Sequence, residues 1–162
     1  MSVDVNDDMI AYLKYSLGFK SGGYDPRSSD SDSFEFDDEK AKSWELGYKM
    51  TLAEGSGELN VALYRTDYEN LQFSQFDGGV NFNVGNVKET VVQGIEIDGR
   101  WQLSKHLRTQ FGAAYLDFEY KDFQNANCHY GATPVVGTIN CDFSGKRGIY
   151  TCLLYTSPSP RD

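Results

Sequence analysis

The chain lacks several features that would classify it quickly. No apolar run approaches the ~20 residues that a membrane-spanning helix needs. Lysine and arginine together number 15 against 24 acidic residues, which leaves a net charge of −9. This balance argues against a nucleic-acid partner, because basic patches supply most of the affinity in such complexes. The opening residues, MSVDVNDDMIAYLKYS, contain no basic region followed by an apolar core, so no secretory signal is visible in them.

Residue patterns that carry catalysis are also missing. There are two histidines and three cysteines, and the sequence contains no nucleophile elbow, phosphate-binding loop or zinc-ligand spacing. His106 falls in a predicted tight turn and His129 in a predicted loop. We therefore expect no enzymatic activity, no cofactor and no resident metal.

Aromatic residues and glycine are abundant instead. The chain has 11 Tyr, 10 Phe and 16 Gly, and its apolar residues recur in short segments with the two-residue period of a β-strand. Predicted strands cover residues 9–20, 42–53, 58–75, 88–103 and 107–120, and a sixth begins near residue 145. The sequence therefore predicts an all-β fold.

The second predicted strand has the cleanest alternation. Its apolar side chains share one face: Trp44, Leu46, Tyr48, Met50 and Leu52. A helical period would place Glu45 and Lys49 inside that apolar stripe, which disfavours a helix. In the third strand the apolar alternation stops near Tyr64. This change predicts either a β-bulge or a strand that leaves the apolar zone at that point.

The predicted connections alternate in length. Long loops follow the first, third and fifth strands, and short turns follow the second and fourth. An antiparallel up-and-down meander with its long loops at one end has this pattern, and outer-membrane barrels combine it with strands that are apolar outside and polar inside. We therefore expect an open segment of a transmembrane β-barrel, contributing about five to six strands of a larger barrel.

The last residues have a different character. Residues 152–162, CLLYTSPSPRD, resemble the in-frame translation of a transposon-end sequencing adaptor. We expect this tail to be an adaptor-derived, disordered addition, and residues 1–151 to be part of a longer protein. A natural Pro/Ser-rich terminus is the alternative.

Four segments, in order, resemble successive strand motifs of TonB-dependent outer-membrane receptors. They are YLKYSLGFKSGGYDP at 12–26, FDDEKAKSWELGYK at 36–49, ALYRTDYENLQ at 62–72 and NVKETVVQGIEIDGRW at 86–101. Each motif alone is weakly specific, whereas the ordered set covers essentially residues 1–150.

The resemblance implies a location and partners. In that family a 22-stranded barrel in the outer membrane encloses a plug and imports scarce nutrients, commonly ferric siderophores. The implied partners are membrane lipid and lipopolysaccharide, the small-molecule nutrient, and the TonB energy-transducing complex acting through a plug that lies outside this segment. The alternatives are another outer-membrane barrel, such as a porin or an adhesin, and a soluble β-sandwich binding module.

Candidate ligand contacts lie on the predicted external loops. Aromatic rings there can stack on planar ligands such as catecholates, although packing within the loops is the alternative, and two cations can contact an anionic ligand. The aromatic candidates are Tyr24, Phe76, Phe82, Phe123 and Tyr130, and the cations are Lys20 and Arg27.

Two cysteines of the last long loop form a candidate disulfide. Cys128 and Cys141 remain as an even pair once Cys152 is assigned to the tail, and an oxidising compartment favours their bond over free thiols. A metal site with His129 is disfavoured, because no second ligand pair with zinc spacing occurs.

The first long loop carries an acidic run. Its members are Asp30, Asp32, Glu35, Asp37, Asp38 and Glu39. Calcium binding is one interpretation. The ordered spacing of an EF-hand is missing, however, so we favour a solvated loop.

Overall fold

The computed structural model describes residues 1–28, 34–76, 82–128, 131–148 and 151–158. A seven-stranded antiparallel sheet dominates these residues, and two small two-stranded ladders lie in its long loops. Within the described part of the chain, no helix has both the length and the apolar character needed to cross a bilayer. The predicted all-β meander is therefore confirmed, and the sheet is open.

The strands are numbered in chain order. They are β1 (Ser2–Asn6), β2 (Met9–Lys20), β3 (Gly23–Tyr24), β4 (Glu35–Phe36), β5 (Glu39–Leu52), β6 (Gly57–Phe76), β7 (Phe82–Ser104), β8 (Leu107–Asp122), β9 (Ala126–Asn127), β10 (Asn140–Cys141) and β11 (Leu154–Pro158). The main sheet has the order β1-β2-β5-β6-β7-β8-β11. All five complete strands predicted from alternation are present as β2, β5, β6, β7 and β8.

Besides the five complete strands, the sheet contains β1 and β11; the sixth strand expected near residue 145 is present only as an isolated bridge between Glu119 and Arg147, and strand pairing along β8 begins at Leu154. β1 pairs with residues Met9 to Tyr12 at the start of β2, and β11 pairs with β8 from Leu154↔Tyr115 to Pro158↔Phe111. Residues 154–158 of the tail lie in this extended segment, and the second edge of β8 presents the backbone donors and acceptors that the segment satisfies.

The register aligns apolar side chains across the whole sheet. One row passes from strand to strand through direct partners: Leu13, Leu46, Leu63, Ile95, Tyr115 and Leu154. On β5, β7 and β8 the apolar segment of this face is about nine residues long, which matches a strand crossing the hydrocarbon core. We call this the outward face.

The ladder decides between the two interpretations of the third strand. Pairing between β6 and β7 continues without a register shift through Tyr64↔Gly94 and Arg65↔Gln93. There is no bulge at this position. The strand leaves the apolar zone instead, and the next outward side chains, Arg65 and Asp67, form an ion pair with Nη2 and Oδ1 2.8 Å apart.

Two inward-facing glycines lie beneath tyrosine rings of the neighbouring strand. Tyr12 is the direct partner of Gly47, and Tyr64 is the direct partner of Gly94. A Cβ at Gly47 would lie 2.1 Å from Cζ of Tyr12, and one at Gly94 would lie 2.6 Å from Oη of Tyr64. Glycine at these positions allows each ring to lie flat across the strand beside it.

The buried residues concentrate at the long-loop end. Val87, Tyr120, Phe123 and Ala126 form the cluster, and partly buried side chains pack against it: Leu71, Phe73, Phe118 and Phe143. Along the rest of the sheet most of the large apolar side chains face outward, as they do in a barrel wall.

Candidate ligand-contact site at the long-loop end

The tip of the first long loop is built on the β3–β4 ladder. Gly23 pairs with Phe36 and Tyr24 with Glu35. The rings of Tyr24 and Phe34 lie 5.3 Å apart between centroids, and Tyr24 is 64% exposed. The predicted aromatic contact at Tyr24 is therefore accessible from solvent.

A tight turn follows at Asp25. The backbone N–H of Ser28 donates to the carbonyl of Asp25 at 3.1 Å. Asp at the first position and Pro26 at the second are the residues that such a turn favours. The turn brings Arg27 back onto the carboxylate that precedes it.

Asp25 is a buried carboxylate with four hydrogen bonds. Its Oδ1 accepts from the backbone N and Nε of Arg27 at 3.0 and 2.9 Å, and its Oδ2 accepts from Nη2 of Arg27 and the backbone N of Val84, both at 3.0 Å. The residue is 3% exposed. The guanidinium hydrogen bonds, together with those from the two backbone N–H groups, outweigh burial and lower the pKa of Asp25 from 3.8 to about 2.

Side-chain amides attach this loop to the β6–β7 hairpin at a second place. Nε2 of Gln72 donates to the carbonyls of Ser21 and Asp37 at 2.9 and 3.1 Å. Asn86 accepts from the backbone N of Asp37 at 2.8 Å, and the backbone N of Gln72 donates to Glu39 at 2.8 Å. The first loop is therefore held near both of its ends by the part of the hairpin that extends beyond the apolar band.

The last long loop is attached to the same hairpin. Oε1 of Gln75 accepts from the backbone N of Asn127 at 2.7 Å. The structure joins Cys128 and Cys141 by a disulfide, and Cys141 is buried in the β9–β10 ladder. The β6–β7 hairpin thus supports two loops that are distant from each other in sequence.

The predicted ligand-contact residues differ in their exposure and in their contacts. Lys20 is exposed at the end of β2, and Arg27 is occupied by Asp25. Phe123 is 2% exposed and packs in the aromatic cluster, so its ring is not presented to solvent. Phe76 and Phe82 pair at the end of the β6–β7 ladder. Tyr130 lies outside the described residues.

In the acidic run, Asp30 and Asp32 lie outside the described residues. Asp37 is exposed, and it is attached to Asn86 and Gln72 only through its backbone N–H and carbonyl. The Asp38 carboxylate pairs with Lys40 at 3.1 Å, and the Glu39 carboxylate accepts from the backbone N of Gln72. Among the described residues, no group of three or more His, Cys, Asp or Glu side chains is arranged to hold a metal ion.

The inward face forms an open concavity of about 700 Å³ that is lined by both polar and apolar residues. The hydroxyl of Tyr12 donates to Oε1 of Glu45 at 2.7 Å, and Nδ2 of Asn60 donates to Asp98 at 2.9 Å. Lys49 Nζ lies 5.8 Å from the centroid of the Tyr12 ring. The predicted wet interior is present as a network of polar side chains.

Sequence reasoning missed the attachments. Asp25, Gln72, Gln75 and Asn86 join segments 50 or so residues apart, and no local pattern indicates such long-range partners. The Asp-Pro pair at 25–26 was the one available signal. It indicates a turn, but it does not show that the backbone N–H of Val84 donates to the Asp25 carboxylate.

Comparison with known proteins supplies the family context. The TonB-dependent receptor-like β-barrel family matches residues 2–145. The ferrioxamine B receptors of Salmonella typhimurium strains SL1344 and LT2 are 26% identical over 116 residues, which cover 72% of this chain and 16% of each relative. The chain therefore spans about a sixth of the length of these curated relatives.

Solved receptor structures contain a sheet with a similar fold. The siderophore receptor PiuA from Acinetobacter baumannii has a TM-score of 0.65 at 18% identity, covering 96% of this chain and 22% of that one. The ferric yersiniabactin uptake receptor FyuA from Yersinia pestis has a TM-score of 0.60 at 18% identity, covering 74% of this chain and 17% of that one. At this identity the likeness concerns the fold.

Proposed function

The chain belongs to the TonB-dependent receptor-like β-barrel family, and from this premise we propose that it forms one sector of a receptor that binds and imports a scarce nutrient, a ferric siderophore. Receptors of this family lie in the outer membrane. The observation that carries the proposal is the sheet itself, with an apolar outward band of about nine residues on β5, β7 and β8 and charged and polar side chains on the inward face.

The activity we propose is recognition and gated passage, in which no covalent bond is broken. Binding at the long-loop end would be followed by movement of a plug driven by TonB, through regions outside this segment. Membrane lipid and lipopolysaccharide would surround the outward face. The relatives named above are siderophore receptors, which supports a ferric siderophore as the nutrient.

An uptake assay tests this proposal. A strain deleted for the full-length gene is compared with its parent for accumulation of radioactive iron, supplied as ferrioxamine B or as a ferric tricatecholate. We expect saturable uptake of at least one probe, lost in the deletion strain and in a strain without TonB. Uptake that needs neither the gene nor TonB would contradict the proposal, and non-saturable, TonB-independent flux would favour a porin.

We propose Lys20 and Tyr24 as the ligand contacts of this sector. Lys20 is exposed at the end of β2 and Tyr24 on the first loop, whereas Arg27 is paired with Asp25 and Phe123 is buried. Truncation of Tyr24 to Ala should weaken binding of the transported probe roughly fivefold through lost ring contact. Lys105→Ala, at the opposite rim, serves as the control, and equal effects of the two changes would argue against the assignment.

We also propose that residues 1–151 are the natural segment and that 152–162 derive from a sequencing adaptor. On this proposal β11 occupies the edge of β8 where the next natural strand would pair. Amplification across this position from the source DNA, followed by sequencing, should replace CLLYTSPSPRD with a different continuation. Recovery of the same eleven residues from independent clones would refute it.

A further inference from the structure

Asp25 combines deep burial with a position at an exposed loop tip. Its side chain is 2% exposed, whereas the neighbouring Tyr24 is 64% exposed and the side chain of Arg27 is 56% exposed. A carboxylate is costly to bury unless it is paired and hydrogen-bonded. A buried carboxylate at this place therefore indicates a task that a solvated turn residue would not perform.

The backbone ladder beneath the tip is short. β3 and β4 contribute two residues each, and the backbone N–H of Asp25 donates to the carbonyl of Phe34 at 2.8 Å. An isolated two-stranded hairpin is marginally stable in water at best. The direction of the Tyr24 ring therefore depends on contacts between the tip and the main sheet.

One such contact runs through the Asp25 carboxylate. Its Oδ2 accepts from the backbone N of Val84 across a sequence separation of 59 residues. Val84 lies two residues from Asn86 on β7, and Asn86 holds Asp37 near the other end of the same loop. The tip and the base of the first long loop are therefore fastened to neighbouring positions of one strand.

Arg27 compensates for the burial of this carboxylate. Its Nε donates to Oδ1 of Asp25 at 2.9 Å and its Nη2 donates to Oδ2 at 3.0 Å, a two-pronged geometry in which guanidinium–carboxylate pairs are strong. The cation is thereby committed to Asp25. An anion that bound Arg27 would have to compete with this intramolecular pair.

We propose that Asp25 is a positioning residue of the nutrient site, an inference that rests on the proposed function and on Tyr24 as a ligand contact. Arg27 holds the Asp25 carboxylate, and the carboxylate holds the Val84 amide. The adjoining Tyr24 ring is thereby presented in a fixed place. Such preorganisation improves affinity, because the loop does not have to be ordered when the nutrient binds. Arg27 acts through Asp25 and does not contact the nutrient.

Uptake kinetics of the full-length receptor test the positioning role. The probe is the radioactive ferric chelate that the wild type accumulates, ferrioxamine B or the ferric tricatecholate. We expect Asp25→Ala to raise the half-saturating concentration roughly threefold to fivefold, no more than Tyr24→Ala does, and to leave the maximal rate unchanged. Asp38→Ala, which removes an exposed carboxylate paired with Lys40 on the same loop, should match wild type. A wild-type half-saturating concentration for Asp25→Ala, or an equal rise for Asp38→Ala, overturns the proposal.

Two double variants separate positioning from direct contact. If Asp25 acts through Tyr24, Asp25→Ala should add nothing in a Tyr24→Ala background, whereas independent contributions would multiply. Arg27→Gln combined with Asp25→Ala should likewise match Asp25→Ala alone, since Arg27 then has no carboxylate to hold. Multiplied losses in either pair overturn the proposal.

Hydrogen exchange monitors the tip without any nutrient. The backbone N–H of Ser28 donates to the carbonyl of Asp25, so its exchange should be faster in Arg27→Gln than in wild type and unchanged in Asp38→Ala. Unchanged exchange in Arg27→Gln overturns the positioning role. Failure of the proposed function has a different signature, because the wild type itself would then show no saturable uptake.

Discussion

Replacement of Gly94 by alanine is the sharpest test of how the wall is packed. Gly94 faces inward on β7, directly opposite Tyr64 on β6. A Cβ built there lies 2.3 Å from the backbone oxygen of Tyr115 and 2.6 Å from Oη of Tyr64. The tyrosine can rotate away, but the carbonyl belongs to the adjacent strand and can move only with the ladder.

These two short distances determine how much stability Gly94→Ala should lose. Real Cβ contacts essentially never fall below 3.0 Å, so the β7–β8 ladder has to shift by several tenths of an ångström at this point. Overpacking of this kind costs about 1–3 kcal/mol. We expect Gly94→Ala to lower the free energy of unfolding of the full-length barrel by about 2–3 kcal/mol, near the upper end of that range, because the obstacle is backbone.

Gly112→Ala is the matched control. Gly112 lies on the same inward face of the neighbouring strand, and nothing lies within 4 Å of a Cβ built there. That change should be neutral or stabilise by about 0.4–1 kcal/mol through the unfolded chain. Urea unfolding of the receptor in detergent, followed by the heat-modifiable shift in gel mobility, measures both variants. Equal stability of Gly94→Ala and Gly112→Ala would refute the packing argument.

Two further predictions concern the loops. Asp25→Asn should speed hydrogen exchange at the Val84 amide, whereas Asp38→Asn should not, and identical exchange in the two variants would contradict the attachment. The pKa of Asp25 in the folded protein, about 2, lies below its usual value of 3.8. Protection of the Val84 amide in the wild type should therefore hold above about pH 4 and fall as the pH drops through 2. Replacing Cys128 and Cys141 by serine removes a closure over a sequence separation of 13, worth about 3 kcal/mol in the chain-entropy model. Limited proteolysis should then cut this loop faster, and an unaltered cleavage rate would argue against a constraining role.

The alternation of apolar and polar residues alone predicted the main sheet, because barrel strands have one face in hydrocarbon and one in water. The outward Trp44 and Leu46 of β5 are separated by the inward Glu45, and that two-residue period survives in the sequence without any tertiary information. The ordered motifs predicted the family for the same reason, since they record which positions face lipid and where each strand ends.

Local pattern failed where contacts are distant in sequence. Phe123 lies in a segment that the sequence predicts as a loop, and no neighbouring residue indicates that its ring packs against Phe73 and Tyr120. Arg27 carries a charge that suits an anionic ligand, and only the fold brings Val84 to the other side of Asp25. The tail was expected to be disordered because it resembles a sequencing adaptor, and only the paired sheet brings residues 154–158 beside the free edge of β8.

The order of strands, the lipid-facing rows and the alternation of short turns with long loops were thus determined by the sequence itself, because each depends on the chemistry of neighbouring residues. The tertiary structure alone decided that β6 passes Tyr64 without a bulge and that loop amides hold the first and last loops to one hairpin. Those features depend on register between strands, and register is a property of the paired sheet that no single strand encodes.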